Sequence, residues 1–162
     1  MKLCMSVCQS RNGVIGANGE QPWYVKGLEA IDTISEGFPV IIGRKSADSL
    51  MSPLSKRTNI VLTSNKSYKK NDFHIKHNPD DALQFAKSLG AKSCFILGGG
   101  TIFRQYLDYV DILYLTTLLE DFAGDTFFPP NFAEKFAKTS RVEYGSNINF
   151  TFETYKNYNI IN

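Results

Sequence analysis

Three stretches of this chain gather groups that attract an anion, two of them built on glycine. Gly98-Gly99-Gly100-Thr101 follows an apolar run and opens a helical pattern. Residues without a Cβ let the backbone come close to a ligand, and the first N–H groups of a helix lack partners and favour negative charge. Gly43-Arg44-Lys45-Ser46 repeats the arrangement with two cations and a hydroxyl, and Thr63-Ser64-Asn65-Lys66 adds further hydroxyls and a cation after a third apolar run. Each stretch by itself also fits an ordinary tight or solvated turn. The glycines do not form the G-x-G-x-x-G fingerprint, because Phe103 holds its last place.

Together, at the carboxyl ends of neighbouring strands, the three suit a polyanion. Arg44 and Ser64 side by side could hold the extra ribose phosphate that separates NADP from NAD. A fourth stretch, Gly13 to Trp23, is a loop with an apolar pair, Val14 and Ile15, and the chain's one tryptophan. Apolar loop residues need something to cover, either the protein's own core or a flat aromatic ligand.

The elements that must position these residues follow from periodicity. Leu3 to Gln9 is apolar on both alternating faces, as in a central strand covered on both sides. Phe38–Ile42, Asn59–Thr63, Cys94–Leu97 and Asp111–Thr116 read alike. In 148–153, Ile148, Phe150 and Phe152 alternate with Asn149, Thr151 and Glu153, which predicts an antiparallel strand with one wet face. A helix is predicted after Asn78, with Pro79 at its first position, Asp80 and Asp81 complementing the dipole, and Gly90 ending it. Its apolar stripe is Ala82, Leu83, Ala86 and Leu89. A second helix covers about 101–107, with Ile102, Phe103, Tyr106 and Leu107 inward, and a third lies within 28–36 on a stripe of Leu28, Ile31 and Ile34. Strands alternating with helices predict an α/β fold, parallel in its main part with an antiparallel C-terminal strand.

The remaining composition narrows the function classes. At 162 residues, 43% hydrophobic and 21% charged, the chain is expected to form one domain over 1–162 with an ordinary core. A net charge of +2 does not call for nucleic acid or a membrane surface. The N-terminus is too short and polar for a signal peptide, and no apolar run approaches the roughly 20 residues of a membrane span. Cys4, Cys8 and Cys94 each sit in a strand-like segment, so reduced thiols are expected instead of a disulfide framework. His74 and His77 with no Cys-x-x-Cys give no metal site. A cytoplasmic protein is expected.

Taken in chain order, these segments resemble dihydrofolate reductase. The resemblance rests on Gly13-Val14-Ile15-Gly16 with Pro22-Trp23, on Pro39-Val40-Ile41-Ile42-Gly43-Arg44-Lys45, and on Leu54, Arg57 and Asn59. It continues through Ile96-Leu97-Gly98-Gly99-Gly100, Tyr114-Leu115-Thr116 and Gly124-Asp125-Thr126-Phe127-Phe128-Pro129. It implies a dihydrofolate reductase-like fold, a mostly parallel central sheet flanked by about four helices. The implied reaction is hydride transfer from NADPH to C6 of 7,8-dihydrofolate with a proton to N5. Implied cofactor contacts are Val7, Cys8, Ile15, Gly16, Asn18, Gly43, Arg44, Lys45, Ser46, Thr63, Ser64, Leu97, Gly98, Gly99, Gly100, Thr101, Ile102, Phe103 and Thr126. Implied substrate contacts are Leu28, Glu29, Ile31, Asp32, Leu50, Leu54, Arg57 and Thr116, with Arg57 pairing with the glutamate tail through a guanidinium fork. Small-molecule partners, dihydrofolate and antifolates such as trimethoprim, and a monomeric state are implied as well.

The chain departs from the family pattern at the acid. The family places Asp or Glu five residues after the tryptophan; here Leu28 stands there, and counting back from Pro39 puts Gly27 at that place. Glu29 is the nearest carboxylate and is assigned the catalytic role with Trp23 and Thr116; Asp32 is the next, and the third possibility is that no side chain serves. On an undistorted helix Glu29 lies off the Leu28–Ile31–Ile34 stripe. Phe103 for the usual tyrosine and Ser46 for threonine are smaller departures. Two other readings remain: a related reductase of riboflavin-type pyrimidines, which Arg57 opposes, and a paralogue that binds NADPH or folate as a regulatory module, which the missing acid favours.

Overall fold

The structure is a computed structural model that describes residues 1–161. Ten strands and five helices follow in chain order. They are β1 (Lys2–Ser10), β2 (Val14–Gly16), α1 (Leu28–Asp32), β3 (Pro39–Gly43), α2 (Arg44–Asp48), β4 (Thr58–Leu62), β5 (His74–Lys76) and α3 (Pro79–Ser88). Then come β6 (Ser93–Gly98), α4 (Gly100–Tyr106), β7 (Ile112–Leu118), β8 (Thr126–Phe127), β9 (Phe136–Tyr144), β10 (Phe150–Asn157) and α5 (Tyr158–Ile161). A 3-10 turn, Thr33–Ser35, continues α1. Eight strands make one sheet in the order β5-β4-β3-β6-β1-β7-β10-β9, parallel from β5 to β7 and antiparallel at β10 and β9. The predicted fold class holds.

β1 is central because both its faces are apolar. Leu3, Met5 and Val7 pack with α3 and α4 residues such as Ala86 and Ile102, whereas Cys4 and Cys8 point to the other face, towards Ile34 and towards Leu28 and Ile31. A period of two splits one strand between two helix layers. α3 starts as predicted: Asn78 Oδ1 accepts from Asp81 N–H at 2.9 Å, and Gly90 adopts the left-handed region at φ 73°. Ala82 and Ala86 are fully buried, but Leu89, the C-cap residue beyond the last helical position, is exposed.

The C-terminal strand departs from its expectation. Thr151 and Glu153 are buried, whereas the opposite face runs from buried Phe150 through half-buried Phe152 and Thr154 to exposed Lys156, so the wetter face is the one expected to be dry. β9, whose polar sequence gave no strand signal, pairs alongside and makes β10 internal. Lys138 Nζ reaches Glu153 Oε2 at 2.6 Å and offsets its charge. Short β2, β5 and β8 were likewise not predicted.

The chain leaves β1 for β3, runs outward to β5, returns to β6 between β3 and β1, and then crosses to β7. This reversal opens a crevice at the carboxyl ends of β1, β3, β4, β6 and β7. A register shift between β3 and β6 sets Ile42 opposite Gly98 and leaves Leu97 unpaired, re-aiming the end of β6 at that crevice.

Candidate functional site

The crevice is a cleft of about 990 Å³, and residues from every stretch singled out above line it. One end is built on β3, β4 and β6. Gly43 ends β3 where α4 packs close, a Cβ there standing only 3.0 Å from Ile102 Cγ1. Arg44, Lys45 and Ser46 form the first turn of α2; Thr63 and Ser64 follow β4, the strand hydrogen-bonded to β3. Arg44 Nη1 meets Asp48 Oδ2 at 3.2 Å with both side chains near half exposed, a contact too wet to hold the guanidinium firmly. His77, which the sequence reading did not select, joins this end, its Nδ1 lying 2.9 Å from Thr63 O.

The glycine turn is the floor. The Gly98–Gly99 peptide is cis, and Gly98 has φ 115°. Cβ atoms at Gly98 and Gly100 would press to 2.9 Å from the Phe103 ring and 2.8 Å from Thr126 Cγ2. A Cβ at Gly99 would meet no protein atom within 4 Å, although Gly99 lines the cleft. The backbone is thus bare where it faces the opening, beside the unpartnered N–H groups that begin α4. A phosphate-bearing dinucleotide fits that cradle, with cations and hydroxyls on the α2 side.

The inner wall brings together Val7 and Cys8 from β1, Ile15 from β2, Leu28 and Ile31 from α1, and Thr116 from β7. Cys8 and Thr116 are register partners across β1 and β7. Burial, followed by the Asp32 charge, pushes the Cys8 thiol up to about 12, so at neutral pH it is a neutral wall and not a nucleophile. Gly16, Leu50, Leu54, Leu97, Thr101, Ile102, Phe103 and Thr126 complete the lining among the predicted residues.

Arg57 is held from three sides. Its Nε donates to Ser35 Oγ at 2.8 Å, Nη1 to Ser55 O at 2.8 Å and Nη2 to Asp32 O at 2.6 Å. Buried Asn59 fixes the preceding loop by bonding both N–H and C=O of Leu54 and the carbonyl of Arg57. A further N–H on each Nη is left for a ligand, the geometry of a carboxylate fork.

The carboxylates resolve into different settings. Gly27 caps α1 at φ 96°, exposed, a conformation in which any side chain would be strained. Glu29 lies at the exposed head of α1 and its Oε2 accepts from Gly27 N–H at 3.2 Å. Asp32, at the other end of α1, is open to water yet set in the concave wall; burial pushes its carboxyl up, Arg57 opposes this, and Glu29 adds to it. Both line the cleft, and among the described residues neither bonds Thr116.

Three predicted residues lie outside the lining. Trp23 packs edge-on against Phe122 at 5.3 Å, in the cluster beneath α1 with Val25, Leu118 and Phe150, so its ring covers core. Gly98 sits one peptide behind the floor. Asn18 borders a smaller adjoining hollow with Lys45 and Thr126, where its N–H donates to Asp125 Oδ2 at 3.0 Å. That bond, then the Thr126 hydroxyl, holds Asp125 below the usual carboxylate range and ties the loop after β2 to β8.

Among the described residues no helix is long and apolar enough to cross a membrane, and no group of His, Cys, Asp and Glu is arranged to hold a metal ion. A family model described as dihydrofolate reductase matches residues 2–157. Dihydrofolate reductase of Staphylococcus aureus is 35% identical over 144 residues, covering 88% of this chain and 87% of that protein. The Staphylococcus haemolyticus protein of that name is 32% identical over 130 residues, covering 80% and 77%. Among solved structures, dihydrofolate reductase from Enterococcus faecalis complexed with NADP(H) and RAB-propyl superposes with a TM-score of 0.88 at 29% identity, covering 97% of this chain and 96% of that one.

Proposed function

This chain belongs to the dihydrofolate reductase family, and we propose that it reduces 7,8-dihydrofolate to tetrahydrofolate with NADPH, acting as a single-domain monomer of the cytosol. The observation that supports this best is convergence: the bare glycine turn, the Arg44–Ser64 end and the free fork of Arg57 open on one cleft. NADPH, when bound, supplies the hydride.

The chain's own residues do the rest. Gly98 to Ile102 and Gly43 to Ser46 take the phosphates through backbone N–H groups and cations. Arg44, Thr63 and Ser64 take the ribose phosphate. Val7, Cys8, Ile15, Gly16 and Phe103 form the apolar wall that aligns two rings and excludes water, which is most of what hydride transfer asks of a protein. Leu28, Ile31, Leu50 and Leu54 clasp the substrate, and Arg57 anchors its tail carboxylate. Thr116 accepts or donates at the heterocycle, and Glu29 handles the proton through water, as its solvent-open position at the head of α1 permits. Trp23 supports α1 from below.

The test is direct. Purified protein with NADPH and dihydrofolate, followed by NADPH absorbance across a pH series, is expected to turn over. NADPH oxidation only with a pyrimidine substrate would overturn the assignment in favour of a riboflavin-type reductase. Saturable NADPH binding without turnover would make the chain a regulatory module, the reading that the missing acid favours.

A further inference from the structure

Three carboxylates of α1 and the turn after it, Glu29, Asp32 and Glu36, line the same cleft as the Arg57 guanidinium. Two of them are engaged: Glu36 Oε2 lies 3.6 Å from Lys56 Nζ, and Glu29 accepts from Gly27 N–H. The Asp32 carboxylate has neither hydrogen bond nor ion pair among the described residues; only its backbone carbonyl is used, by Ser35 Oγ at 3.1 Å and Arg57 Nη2 at 2.6 Å. Arg57 is therefore locked to the main chain of the residue whose side-chain charge it does not neutralise by contact. A ligand carboxylate that takes the free N–H groups of Arg57 arrives next to Asp32.

We propose that Asp32 is a specificity-determining residue, a charge gate that admits one carboxylate at Arg57 and works against each further negative charge on the ligand's tail. The proposal rests on the reading of Arg57 as the tail anchor. Like charges at a partly dehydrated surface interact more strongly than in bulk water. Arg57 ahead of β4 and Glu29 on α1 act on the Asp32 charge, which in turn acts on Cys8 of β1, while Glu36 after the 3-10 turn lines the same cleft and pairs with Lys56. Burial and Glu29 both favour the neutral carboxyl, and Arg57 alone opposes them. Once a ligand neutralises Arg57, the remaining influences favour protonation, so an anionic tail binds in step with proton uptake.

The experiment uses the full chain, wild type and Asp32→Asn, with saturating NADPH. Three substrates are compared: a 7,8-dihydropterin without a tail, dihydrofolate, and dihydrofolate extended by γ-linked glutamates. Because the Asp32 side chain bonds nothing, the isosteric amide keeps the fold. In the wild type kcat/KM is expected to rise from the tail-less pterin to dihydrofolate, which gains Arg57, and to fall again as γ-linked glutamates add charge. In the variant the preference for the less charged tail shrinks about three- to tenfold, chiefly through KM. The wild-type KM for dihydrofolate rises as pH climbs through the Asp32 titration, and that dependence is flattened in the variant. An unchanged preference overturns the gate, as does a fall in kcat common to all three substrates, which would place Asp32 at the reacting ring. Failure of the wild type to turn over any of them removes the functional reading and the gate together.

Discussion

At the scale of single residues, the site separates charges that bind from charges that react. Arg44 is attached to Asp48 only by a half-exposed pair, a contact worth little to the fold. Arg44→Ala is therefore expected to leave the thermal midpoint within a degree or two, yet to raise KM for NADPH roughly tenfold or more without a matching change for NADH. Equal losses with both nucleotides would remove Arg44 from the ribose phosphate. Glu29 carries the proton assignment from an exposed position at which Oε2 is already shared with Gly27 N–H. Glu29→Gln is expected to lower kcat towards the small end of the about 10²–10⁴-fold range of proton-transfer groups. A loss under about threefold would hand the proton to bulk solvent. Diaminopyrimidine inhibitors, which pair with a carboxylate, are expected to bind weakly for the same reason.

At the scale of elements, the loop that roofs the cleft depends on close contact between β2 and the approach to β8. A Cβ on Gly124 would lie 2.3 Å from Val14 Cγ1 and 2.6 Å from the Gly16 carbonyl, distances no rotamer relieves because one neighbour is backbone. Gly124→Ala is expected to cost about 1–3 kcal/mol in urea denaturation and to weaken NADPH binding by loosening Ile15 and Gly16. Normal stability with normal affinity would show that this contact does not set the roof. The cap of α3 is a simpler case. Asn78→Ala removes the acceptor for Asp81 N–H and is expected to cost about 1 kcal/mol without touching kcat, since α3 meets the cleft only at Pro79.

At the scale of the molecule, three unpaired thiols sit in or beside the core. Burial pushes Cys4 up to about 11 and Cys8 and Cys94 up to about 12, against an ordinary value of 9.0. Folding thus keeps these thiols protonated while the unfolded chain ionises first. Their contribution is intact below about pH 9 and is lost as pH rises from there through the folded values, at up to about 1.4 kcal/mol per thiol per pH unit. Denaturation midpoints are expected to stay flat from neutral pH to about 9 and then drop. A Cys4→Ala, Cys94→Ala double variant should show a shallower drop, and an equal drop would assign the alkaline loss to other groups.

What the sequence determined by itself was what periodicity and residue type can encode: the central strand with two apolar faces, the capped α3, the glycine turn after β6, and the cations and hydroxyls gathered at one site. These are local signals, because burial on both faces, a cap and a missing Cβ each leave a mark within a few residues. Only the tertiary structure decided that β10 lies inside the sheet, since its covering strand β9 is polar and its buried Glu153 is compensated by Lys138 from that neighbour. Likewise Trp23 faces core and not cleft, His77 joins the phosphate end, and Gly27 takes a left-handed turn ahead of α1. Each of these depends on which distant segment comes to lie alongside, or on a backbone angle, and side-chain spacing records neither.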